Sequence, residues 1–183
     1  MDYFPSVAHH FPTVAPYFPD PGNRNGTDFA VGGSISADLP AQIEAYLAST
    51  GGRASADDLY VIWIGANDFA AGVGSPSATA ENIRGGIIQL RQAGARAFVV
   101  ITVPDISLTP TVIAAGGSII QAAKQFVFTV NSLLEVEILP YAWSRGVKID
   151  LVDINQIFTQ RCSTLPGLVF QTVPVPRTIQ AVP

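Results

Sequence analysis

Tyr60-Val61-Ile62-Trp63-Ile64-Gly65-Ala66-Asn67-Asp68 is the stretch from which the rest of the chain can be read. Its first five residues are apolar, and Val61, Ile62 and Ile64 are β-branched, the composition of a strand buried on both faces of a parallel sheet. The glycine and the two turn-forming side chains that follow then fall at the carboxyl end of that strand. This is the edge where open α/β sheets place their ligands. Taken alone the segment is a strand and a turn, with Asp68 able to cap a following helix.

Working outward, similar apolar runs bounded by turn residues recur at 27–33, 97–103 and 147–154. Between them lie helical patterns. The first, at 39–49, has Pro40 where a first helical turn tolerates it. The second, at 77–93, carries Ile83, Ile87 and Leu90 on one face and Gly94 as its stop. The third, at 111–145, should break near Gly116-Gly117, bend at Pro140 and end at Gly146. Strands alternating with helices require crossover connections, so the expected sheet is parallel. Residues 1–26, rich in proline and aromatics, read as irregular structure.

Composition removes several classes of function. The chain has 183 residues, 48% of them hydrophobic and 13% charged, which is far too apolar for a disordered protein. One domain spanning 1–183 is the expectation at this length. A net charge of -4, with Lys and Arg scattered singly, leaves no basic stripe for nucleic acid. Cys162 is the single cysteine, so an internal disulfide or a Cys-rich metal site is excluded. No cofactor is expected. The sequence starts Met1-Asp2 and continues with prolines, histidines and aromatics, which is not a signal-peptide pattern. No residues point to an oligomeric state.

Two further strand ends matter. Asp28-Phe29-Ala30-Val31-Gly32-Gly33-Ser34 closes on a glycine pair that lets backbone N–H groups approach a ligand, although a Gly-Gly turn alone is a weak signal. Val103-Pro104-Asp105-Ile106-Ser107-Leu108-Thr109-Pro110 ends the most apolar run. In this order the three segments resemble the SGNH/GDSL hydrolases, in particular the branch containing autotransporter and secreted esterases. Asn131-Ser132-Leu133-Leu134 and Val152-Asp153-Ile154 resemble that family's later helix and strand, so the likeness covers residues 26–160.

The resemblance implies a three-layer α/β/α, flavodoxin-like fold and a metal-independent carboxylic ester hydrolase acting on small acyl esters or lipids. It implies a secreted or cell-envelope location. By motif alignment it places an oxyanion-hole backbone N–H on Gly33 and a side-chain amide donor on Asn67. The chemistry suits those types. Attack on an ester carbonyl puts negative charge on oxygen, and a fixed neutral donor aimed there is worth on the order of 3 kcal/mol.

The resemblance also requires a nucleophilic serine in a Gly-Asp-Ser-Leu-like segment and a base in an Asp-x-x-His segment, and neither segment occurs. Ser6 lacks that context; the two histidines are His9 and His10, and none follows Asp153. No spacing argues for an unrelated dyad of Ser34 or Cys162 with His9 or His10. We therefore assign no nucleophile and no base, and expect little activity from this chain alone. Residues 161–183 fit the family poorly. Read one base earlier through permitted codons, Cys162 to Arg177 gives LNPARFGFSNSTGSA, a family-like string. The expectation is an incomplete copy, lacking its first strand and its C-terminal segment, with a frameshift near Arg161 or Cys162 and an internal start at Met1. The rival readings are a non-catalytic acyl- or carbohydrate-binding protein of the same fold and, last, a nucleotide-binding flavodoxin-like module. The second lacks both a dinucleotide fingerprint and a phosphate loop.

Overall fold

The computed structural model describes residues 28–157, so Ser6, His9, His10, Cys162 and the 161–183 tail lie outside the described residues. In chain order the elements are α1 (Leu39–Ser49), β1 (Leu59–Ile62), α2 (Ala66–Ala70), α3 (Pro76–Ala93), β2 (Ala97–Ile101), α4 (Pro110–Ala115), α5 (Gly117–Arg145) and β3 (Lys148–Val152). Single 3-10 turns at Ser36–Asp38 and Ile106–Leu108 complete the set. The strands form one parallel sheet in the order β1-β2-β3, as the alternation of patterns requires. This is a mixed α/β fold consistent with the α/β/α architecture expected above.

Register explains where the core lies. Tyr60 aligns with Phe98 and Ile149, and Ile62 with Val100 and Leu151, so these six share one face of the pleat. Phe98 and Val100 are fully buried there, and the other four join the same core. The residues between them, such as Val61, Val99 and Asp150, share the opposite face and contribute nothing to that cluster. Both crossovers, β1-α3-β2 and β2-α5-β3, advance in one direction across the sheet. Right-handed connections therefore put α3 and α5 on the same side. Ile83, Ile87 and Leu90 of α3 meet Val130, Leu134 and Ile138 of α5 over the buried face. The α1 helix joins through Leu39 and Ile43, which lie so close to Gly86 that a Cβ there would meet Leu39 Cδ2 at 2.6 Å. A side chain at 86 would have to displace the Leu39 and Ile43 side chains.

Local chemistry sets the helix ends. Ser75 Oγ accepts the Ala78 N–H at 3.2 Å, Pro76 supplies the first turn, and Gly94 stops α3 at the expected place. The long apolar pattern splits at Gly116, as its glycine pair predicts, and α5 continues through Pro140 to Gly146. One expected strand, at 27–33, does not form among the described residues. Residues 28–33 form irregular chain and a turn, because their backbone donors bond locally: Ala30 N–H goes to Asp28 Oδ1 at 2.9 Å and Ser34 N–H to Val31 O at 3.3 Å. An Asp that caps its own neighbours competes with a β ladder. Phe29 nonetheless packs edge-on against Tyr46, which packs in the same way on Tyr60. Tyr60 gives its hydroxyl proton to Ser55 O at 3.0 Å, so the 2.9 Å contact with Tyr46 has Tyr46 as donor. Burial pushes the Tyr60 phenol well above its ordinary range.

Candidate active site

At the carboxyl end of β1 the chain must reverse into α2 within a few residues, and Gly65 makes this possible. It holds φ 116, and a Cβ there would press on Thr79 Cγ2 at 3.0 Å and Val103 Cγ2 at 3.1 Å. The turn delivers Asn67 and Asp68 into the first turn of α2, pointing at the loop that contains Gly33.

Asp68 is the anchor. It is 3% exposed, and its carboxylate accepts three bonds from two distant elements. Ser36 N–H donates to Oδ2 at 2.8 Å, while Ser36 Oγ at 2.5 Å and Thr79 Oγ1 at 2.9 Å both donate to Oδ1. Asn82 Nδ2 adds a bond to Ser36 Oγ at 2.9 Å. A buried carboxylate held by three donors from two elements is fixed firmly, and a network of this kind stabilises only while every member is paired. Its consequence is geometric: the loop ending in Ser36 cannot leave the start of α2.

Asn67 closes the same gap one residue earlier. Its Nδ2 donates to the Ser34 carbonyl at 3.0 Å. An amide nitrogen carries two hydrogens, so this bond fixes the plane of the side chain and leaves a second N–H to offer. Gly33, directly before Ser34, is exposed in the left-handed region at φ 80, while Asn67 is half-buried. The structure thus brings the Gly33 turn and the Asn67 side chain against each other, across 33 residues of sequence separation for the Asn67–Ser34 bond.

The third segment serves the neighbouring loop. Asn131, from α5, accepts the Val103 N–H at 2.8 Å and returns its amide to Val103 O at 2.9 Å, replacing a strand partner with a side chain. Asn155 repeats the device, donating to Val103 O at 3.1 Å and accepting the Asp105 N–H at 2.7 Å. Asp105 in turn holds Ser107 through both its N–H and its hydroxyl. These bonds account for the segment as scaffold. No periodic pattern flags Asp68 or Asn131 as anchors, since each bonds to a partner far away in sequence. Among the described residues no group of three His, Cys, Asp or Glu side chains could hold a metal ion.

Lipase 1 of Photorhabdus luminescens is 35% identical over 103 residues, covering 49% of this chain and 16% of that protein, so the chain spans a small part of that relative's length. The model of the family described as GDSL-like lipase/acylhydrolase matches residues 2–168, a wider stretch than the motifs themselves cover. Fold, turn and match converge: the chain belongs to the GDSL-like lipase/acylhydrolase family.

Proposed function

We propose that this chain carries the oxyanion-stabilising half of a GDSL-type ester hydrolase site, with Gly33 N–H and the free N–H of Asn67 as donors to the carbonyl oxygen of a small acyl ester or lipid. The observation that carries this reading is the Asn67–Ser34 bond, made beside the buried Asp68 clamp. Together they hold both donors still before substrate arrives. Preorganised donors act because no reorganisation is needed as charge develops.

The nucleophilic serine and the base histidine that the resemblance calls for have no counterpart motif in the 183 residues. Removing one member of such a triad typically costs several orders of magnitude in rate. We therefore read the chain as one incomplete hydrolase domain spanning 1–183, related to the autotransporter and secreted esterases, that holds an acyl ester without turning it over efficiently. Acyl or carbohydrate binding without hydrolysis is the alternative role for the same site. Hydrolysis of p-nitrophenyl acetate by the purified chain tests the reading. The expected rate stays near the spontaneous one. Enzymatic turnover that persists in Asn67→Ala, in material free of contaminating esterase, means that the site lies elsewhere.

A further inference from the structure

Among the described residues β1 pairs only with β2, so the backbone N–H and C=O groups along its other edge meet no strand. Beside that edge runs a groove of about 420 Å³, lined by Phe29 and Ala30, by Leu39, Ile43 and Tyr46 of α1 and by the run 59–64. Edge strands are commonly blunted by lysine or proline, and Leu59, Tyr60, Val61, Ile62, Trp63 and Ile64 include neither. The outer edge of β3 differs. Lys148 and Asp150 stand there at alternate positions with side chains 75% and 56% exposed, which is the kind of charge pattern that keeps an edge from pairing.

The chain's own tail contains a sequence that suits the groove. Residues 168–173, which lie outside the described residues, read Leu-Val-Phe-Gln-Thr-Val between Pro166-Gly167 and Pro174. They are strand formers for the most part, with no internal proline, and they match the length of the run 59–64. In an extended chain Leu168 and Phe170 fall on one side, while Val169 and Gln171 fall on the other. The distance is also right. The described chain ends at Ile157, beyond the carboxyl end of β3, and residues 158–167 separate it from Leu168. A linker of that length spans up to about 33 Å when extended, whereas the position outside β1 is three strand spacings from β3, or about 14 Å. It is shorter than the crossover of a dozen or more residues that a parallel neighbour needs. A strand formed by the tail therefore enters from the carboxyl end of the sheet, antiparallel to β1.

We propose that residues 168–173 pair with the outer edge of β1 and give the sheet a fourth strand from the chain's own tail. The side bearing Leu168 and Phe170 then packs over Ile43 and Tyr46, and Gln171 faces water. The test is residue-resolved amide exchange by NMR on the full 183-residue chain. The amides of 59–64 that point away from β2, and alternate amides of 168–173, should exchange at least about a hundredfold more slowly than in an unstructured chain. Phe170→Pro removes a donor and fixes φ, so it should return both sets to the unstructured rate while Phe98 and Val100 of β2 stay protected. If that variant fails to fold, Phe170→Gly, which weakens a strand without blocking it, should speed both sets about tenfold. Unslowed exchange of either set in the parent chain overturns the proposal. Protection of 59–64 that survives both variants means another occupant, and protection that rises with protein concentration means a second copy; either result overturns it as well.

Discussion

The two faces of the sheet differ more than their sequences suggest. Phe98 and Val99 are adjacent, both are strand formers, and both have aligned partners on either side. Phe98 is 1% exposed beneath α3 and α5, while Val99 belongs to a face that includes Leu59 at 59% and Val61 at 41% exposure. The difference comes from connection geometry rather than from composition. Two right-handed crossovers advancing the same way must stack their helices on one side. The lesson for the site is that its proposed donors stand on segments tied to the covered face through Asp68 to Thr79 of α3, while Asn131 of α5 ties the neighbouring Val103 loop to the same face.

Substitutions can break or sharpen this contrast. The largest effect is expected for Phe98→Ala, which empties a fully packed position and should cost about 4 kcal/mol in urea denaturation. Asp68→Ala comes next, at about 3 kcal/mol, because it orphans Ser36 and Thr79 donors in the interior. Asn131→Ala should cost about 2 kcal/mol, since Val103 N–H loses its acceptor while Val103 O keeps Asn155. Val61→Thr on the open face should change stability by about 0.5 kcal/mol or less. A cost for Val61→Thr approaching that of Phe98→Ala would erase the contrast and show that this face is packed as tightly as its opposite.

How much of this could be read from residues alone follows from the range of the interactions involved. Periodicity located α1 and α3 and the β1, β2 and β3 runs, because each is a local pattern repeated over several residues. The split at Gly116 was visible for the same reason. The 27–33 run has strand composition, yet its described part is irregular, because Asp28 takes the Ala30 N–H that a ladder would need. The five-residue α2 was invisible, being too short to show a period. Asp68 looked like a helix cap and is in fact a tertiary anchor, a role decided by Ser36 lying 32 residues away. Asn67 and Gly33 are named by motif, while the Asn67–Ser34 bond beside them belongs to the folded chain.

The account stands or falls on whether Gly33 N–H and the Asn67 side-chain amide address one anion together. Titrating the ¹⁵N-labelled chain with butylphosphonate, a tetrahedral anion, reads this directly. The backbone resonance of Gly33 and the side-chain NH₂ resonances of Asn67 should move along a single isotherm with one dissociation constant. Movement of only one of them, or two isotherms with different constants, would contradict it.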